Sequence, residues 1–499
     1  MEASRSFSDA NLIFNGINGT TGGYLLPEMT PAEISSIAKG ERFDRDHLFD
    51  LKLRLRQSTE TARRIKEGLD PQHLSEAGWG VIFAYQDIDK IPALMNALAE
   101  LLALRQKQAG QRYREYTGTE AYRSGESKSN FLARHGAGPG PVDPDRVPYY
   151  LLIVADPESI PYSFQYQLDV QYAVGRIHFE GLEEYANYAH SIVRAETESI
   201  AQRRGAIFFG MENPDDRPTQ LSANLLVQPL ADLFVAERDH GGWEIQTIRG
   251  EGATKAALNE SITAHDSSAL IFSASHGMGF PNADPRQLPH QGALLCQDWP
   301  GPVAWKGRIP EDHYYSADDI ASDAHLLGKL SFHFACYGAG TPKMDDFSQY
   351  YFREPGAIAP HAFVANLPQR LLSHPKGGML AVVGHVERAW SFSFNWRDAS
   401  GQLAVFESAL KRLMAGLPVG LAMEYFNDRY AELSTVLTED LQGAQFGKLI
   451  DVVEMANTWT ANNDARSYVI IGDPAARLRV ISNSDVPGES SPGAASRKM

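Results

Sequence analysis

The amino-acid sequence predicts an α/β fold built around a mostly parallel central sheet. Three observations carry that expectation. Continuous apolar runs of four to seven residues recur from residue 149 onward, the pattern of strands buried on both faces. Helical stretches separate those runs, as connections between parallel strands require. Turn-forming residues such as Asp156-Pro157 punctuate the joints.

Taken in order, residues 1–147 read as a mainly helical N-terminal region. Ile91, Leu94, Leu98, Leu101 and Leu102 recur at helical spacing, with Pro92 in the first turn. The short apolar run 80–85 is a candidate strand. The Gly- and Pro-rich stretch 135–148 denies regular structure and reads as the main linker. Beyond it, strands are expected at 149–155, 170–177, 206–209, 244–248, 269–274, 330–335, 378–383 and 468–471. Helices are expected at 185–200, 222–235, 254–264, 401–415 and 418–441. Residues 482–499, rich in Ser, Gly and Pro, are expected to be a disordered tail. The segment 15–23 is Gly-rich but has no following Lys-Ser/Thr, so it reads as turns and not as a phosphate loop.

Composition narrows the function classes. With 499 residues there is length for two or three domains, and 43% hydrophobic and 10% aromatic content is that of a globular chain. A formal net charge of -16 argues against nucleic acid as the main partner, which would need a basic face. The chain has two cysteines, Cys296 and Cys336, which fits a reducing compartment. No secretory signal opens the sequence, and no apolar run reaches the roughly 18 residues of a membrane span. A cytoplasmic location without membrane contact is therefore the expectation.

Chemistry concentrates at the ends of two predicted strands. One run leads into Ser275-His276-Gly277, the other into Ala335-Cys336. In open α/β sheets, functional groups collect beyond the carboxyl ends of strands. If the two strands are parallel neighbours, His276 and Cys336 emerge together. A thiolate is the nucleophile, and a histidine beside it can generate the thiolate or protonate a leaving amine. Gly277, lacking Cβ, lets its N–H approach a developing oxyanion beside that of Cys336. A lone Cys or His at such a place is more often a packed core residue, and only the paired occurrence shifts that balance.

These two segments resemble the paired signature of caspase-like cysteine peptidases. The run 150–157 with Ile160-Pro161, Leu168 to Tyr172 leading into Val174-Gly175-Arg176-Ile177, and Ile471-Gly472-Asp473-Pro474 resemble the gingipain-type branch. The resemblance spans roughly 148–480. It implies a caspase-like three-layer α/β/α sandwich, with a gingipain-like accessory α/β subdomain at 148–204 and a catalytic domain at 205–481. It also implies a Cys336–His276 dyad with an oxyanion donor at Gly277, acting on a protein or peptide substrate without a cofactor. Basic-residue specificity in that family rests on a buried acid. Here Asp215 and Asp216 in the loop 211–217, or Asp345 and Asp346 after Cys336, are the candidates, though none aligns cleanly. The plain alternative is that all four are solvated loop acids.

His385, Arg388 and Trp390 follow another strand, where they either line a substrate groove or form a structural turn. His361, His374 and His385 lack the spacing of a zinc site, so no metal is expected. The N-terminal region is expected to shield the site, bind a regulatory partner or carry a switch. A catalytically silent interaction module on the same fold is the alternative function. A nucleotide-binding enzyme is disfavoured by the missing phosphate loop.

Overall fold

The computed structural model describes residues 16–26, 28–40, 65–198, 202–236, 242–265, 267–345, 356–395 and 403–481. Asp346 and the expected tail at 482–499 lie outside the described residues.

The elements that position the site are, in chain order, β1 (Gly16–Asn18), α1 (Pro31–Gly40), β2 (Trp79–Phe83), α2 (Ala99–Ala109), β3 (Tyr113–Tyr116), β4 (Tyr150–Val154), β5 (Ala173–Ile177), α3 (Leu182–Thr197) and β6 (Gly205–Gly210). There follow α4 (Gln228–Ala236), β7 (Glu244–Arg249), α5 (Lys255–Thr263), β8 (Leu270–Ala274), β9 (Gly277–Gly279), β10 (Leu294–Leu295) and β11 (Tyr314–Tyr315). The last are β12 (Leu330–Phe334), α6 (Asn366–Leu372), β13 (Ala381–His385), α7 (Ala404–Met414), α8 (Glu424–Gln445), α9 (Val452–Arg466) and β14 (Tyr468–Gly472).

A ten-stranded sheet runs in the order β3-β2-β4-β5-β14-β13-β12-β8-β6-β7. Every pairing is parallel except β13 with β14. The sheet therefore consists of two parallel halves facing opposite ways. The carboxyl ends of β6, β8, β12 and β13 share one edge, and those of β4 and β5 share the other. The predicted α/β class with a mostly parallel sheet is the observed one.

Helices cover both faces. Phe208, Phe272 and Phe332 sit in register on β6, β8 and β12. Phe234 of α4, Phe406 of α7 and Phe426 of α8 meet that row at ring separations of 5.7 to 6.0 Å. On the opposite face, Lys329 reaches the carbonyl of Ile262 at the end of α5, 3.0 Å away. Side chains alternate across a strand, so full burial of β8 and β12 follows from cover on both sides.

Four differences from the sequence expectation stand out. The helix expected at 91–105 is broken at Leu98, where ψ turns to 5°. The strand expected from 170 begins at Ala173, because the helix Tyr162–Asp169 and the helical backbone of Val170 precede it. Helix α9 was not anticipated. Residues 79–83 and 113–116 join the main sheet, β2 pairing directly with β4, so one sheet runs across the expected division at 147/148.

Beside the main sheet lies a small one in the order β1-β9-β10-β11. The Gly-rich segment supplies β1 and then turns at 18–23. The Asn18 side-chain oxygen accepts from the N–H groups of Thr20 and Thr21, and Gly22 takes a φ of 70°. Among the described residues no helix is long and apolar enough to cross a membrane.

Candidate active site

Strands β8 and β12 are parallel neighbours, with Ala274 opposite Phe334. His276 and Cys336 each lie two residues past that pair, so equal overhangs bring them to one edge. The two chains stay in contact beyond the sheet. The Ser275 N–H donates to the Phe334 carbonyl at 3.2 Å. A Cβ placed on Gly277 would fall 1.7 Å from the Cys336 carbonyl oxygen and 2.8 Å from its nitrogen. Only glycine permits that approach.

His276 is fully buried. Its Nε2 lies 2.7 Å from Asp216 Oδ2. A carboxylate accepts, so Nε2 carries the proton and Nδ1 is left as the basic nitrogen. Nδ1 has no hydrogen-bond partner among the described residues. Asp216 also accepts from the Tyr24 hydroxyl at 2.5 Å and the Thr219 hydroxyl at 2.6 Å. Burial alone would lift the Asp216 carboxyl, but the positive charge His276 carries when protonated and its hydrogen bond, with those two hydroxyls, hold it below the usual carboxylate range. The rings of Tyr24 and Trp299 meet the imidazole edge-on at 6.1 and 6.0 Å.

Cys336 is also fully buried. Its Sγ accepts from the Ala389 N–H at 3.2 Å. Burial pushes the thiol up to about 12, against that N–H and the Arg388 charge, which favour thiolate. The next residue, Tyr337, holds a φ of 58°, a left-handed conformation that a bulky side chain rarely adopts. Its N–H donates to the Glu387 carbonyl at 2.7 Å. The loop 386–393 is thus joined to the Cys336 turn, and α9 holds it from behind. Asp464 accepts from the Trp390 N–H at 3.0 Å and the Ser393 hydroxyl at 2.5 Å, and His385 Nε2 lies 3.1 Å from the same carboxylate.

The residues expected to bind substrate are placed otherwise. Asp216 faces His276 and is buried, so it does not line an open cationic pocket. Asp345 forms a two-point ion pair with Arg388, each contact 2.9 Å. Trp390 is buried, in the same hydrophobic cluster as Met29, Ile34 and Trp459. Asp215 is exposed and accepts from the Val303 N–H at 2.8 Å. Cys296 and Cys336 are not joined in a disulfide.

No family model matches this chain, and no curated protein matches it. Similarity appears among solved structures. The Arg-specific cysteine proteinase gingipain R shares 12% identity, with 82% of this chain and 79% of that one covered at a TM-score of 0.46. A structure described as a protease shares 10% identity over 85% and 82%, at a TM-score of 0.44. The Saccharomyces cerevisiae separase–securin complex shares 13% over 66% of this chain and 16% of that one, at a TM-score of 0.31. At these values the similarity bears on backbone arrangement and not on what the chain does.

Sequence reasoning did not find Asp216 as the partner of His276, nor Tyr24, Ala389 and Asp464 around the pair. One signal for Asp216 was present. It leaves the strand 205–210, and only the sheet order reveals that β6 borders β8, with Gly210 opposite Ala274.

Proposed function

We propose that the chain is a caspase-like cysteine peptidase in which Cys336 is the nucleophile and His276 the acid–base, oriented by Asp216. The observation that carries this reading is the buried Asp216–His276 contact beside Cys336, which fixes one imidazole tautomer.

In this reading His276 Nδ1 takes the thiol proton as Sγ bonds to the scissile carbonyl carbon. The N–H groups of Gly277 and Cys336 stabilise the oxyanion. Collapse breaks the C–N bond, and Nδ1–H passes its proton to the departing amine. A water then adds to the thioester, giving its proton to His276, and the acid and thiol are released. Asp216 and Asp345 are committed to His276 and Arg388, so neither supplies a free acid for a basic P1 residue in this reading.

One observation favours a second reading, a catalytically silent module. Both reactive side chains are fully buried, and burial pushes the Cys336 thiol up, away from thiolate. Cleavage of a mixed fluorogenic peptide library by wild type and by Cys336→Ala separates the two. The peptidase reading expects turnover by wild type alone and a peptidyl electrophile attached to Cys336. Equal cleavage by both proteins, or none by either together with no labelling in any variant, would sink it.

A further inference from the structure

The catalytic pair is covered by a piece of this chain. Strand β1 pairs in parallel with β9, Gly16 opposite Gly277, immediately after His276. A Cβ on Gly16 would stand 3.2 Å from Cys336 Sγ, so the backbone of β1 lies directly against the thiol. The chain then folds back. Ile17 bridges Tyr24 in antiparallel fashion, and the Leu25 N–H donates to the Gly16 carbonyl at 3.0 Å. The Leu25 side chain closes over Gly16 and Gly279, lying 2.6 Å from a Cβ built on Gly16 and 2.3 Å from one built on Gly279. From the returning arm, Tyr24 donates its hydroxyl to Asp216, the carboxylate that orients His276.

We infer that the 16–25 hairpin is an intramolecular seal, seated where an extended peptide would have to lie to reach Cys336, and that the site opens by release of this hairpin. The inference deepens the peptidase reading and rests on it. Two features mark a releasable cover. Its pairing with β9 is three residues long. Gly16, Gly277 and Gly279 bring the two backbones close, and Ile17 opposite Met278 is the one buried apolar pair between the strands. The turn is held at its rim by polar contacts, with Arg286 reaching the Gly19 carbonyl at 3.3 Å and the Thr20 hydroxyl at 3.1 Å. By contrast α1, which follows the hairpin, packs against α9 and buries Ile34, Ile37 and Ala38 in a second hydrophobic cluster, so the hairpin can lift while its root stays docked. Loss of the Tyr24 contact also frees an Asp216 oxygen beside His276, coupling opening to the catalytic histidine.

The test uses the full chain and iodoacetamide, a reagent that needs no catalysis. The other thiol, Cys296, is fully buried and belongs to the small sheet beyond the hairpin, so its labelling reports unfolding. Wild-type Cys336 should alkylate slowly, with Gly16→Val raising its rate roughly tenfold or more and Tyr24→Phe by a smaller factor, Cys296 staying protected. Peptide turnover should rise in step. Were Gly16→Val to expose both cysteines, Tyr24→Phe, which loses one hydroxyl, decides the matter alone. Fast alkylation of Cys336 in wild type, or a rate unchanged in the folded variants, overturns the seal. Faster labelling without any turnover leaves the seal standing and removes the peptidase reading instead.

Discussion

Asp216 holds the Nε2 proton of His276 at 2.7 Å, so a neutral amide there would present a donor as readily as an acceptor and release the tautomer. Under the peptidase reading, Asp216→Asn lowers kcat roughly 10²- to 10⁴-fold with little change in KM, measured on the best library peptide. Merely structural damage would instead lower the active fraction, which active-site titration with the electrophile reports. A second residue governs acid stability. His333 on β12 is fully buried, its Nε2 2.7 Å from the Ser331 hydroxyl, and burial pushes its pKa down to about 4. The unfolded histidine titrates near 6.5, so between about 6.5 and 4 the unfolded state binds more protons and stability falls as pH falls. The contribution is fully present above about 6.5 and amounts to about 3 kcal/mol lost by pH 4. Melting temperature should therefore drop across that window in wild type. In His333→Gln the slope should be shallower; an identical slope would remove His333 from the account.

At the level of elements, the junction between β9 and the turn after β12 is the tightest contact at the site. Gly277→Ala places a methyl 1.7 Å from a carbonyl oxygen that belongs to backbone and has no room to yield. The expected cost is about 2 to 3 kcal/mol, read by denaturant unfolding, together with loss of turnover. Gly279→Ala is the control, since its nearest neighbour is the Leu25 side chain of the hairpin. It should destabilise the chain less. Helix α9 shows why one element escaped sequence reading. Asn462, Asn463 and Asp464 are buried on it, so it has no polar stripe to reveal a helical period. Its one local sign is Asp451, whose side chain accepts from the N–H groups of Val453 and Glu454 as an N-cap.

Across the whole molecule, Asp473 ties the two ends of the chain together. It follows β14 and accepts from Trp79 Nε1 of β2 at 3.0 Å and from Arg105 Nε of α2 at 2.7 Å. Arg105 is buried and pairs with Glu196 of α3 as well. Asp473→Ala leaves that guanidinium half-compensated, at a cost of about 3 to 5 kcal/mol. Because one sheet spans the chain, scanning calorimetry should show the wild type unfolding with no separate transition for residues 65–147. Melting of that segment ahead of the rest in wild type, followed by far-ultraviolet and tryptophan signals, would contradict this.

Local pattern determined much here. Continuous apolar runs at 150–154, 270–274 and 330–334 are strands because only a sheet covered on both faces buries every side chain of such a run. The positions of His276 and Cys336 at strand ends, and the turn of the Gly-rich segment, were legible for the same reason: each depends on a few consecutive residues. What the tertiary structure decided is everything set by pairing between distant segments. The reversal at β13–β14, the neighbours of β6, the contact of Asp216 with His276 and the placement of Gly16 against Cys336 join residues 60 to 320 positions apart or strands whose order no run of residues encodes. An apolar run fixes that a strand is buried, but its ladder of backbone hydrogen bonds is the same beside any partner, so strand order is chosen by the packing of the whole chain.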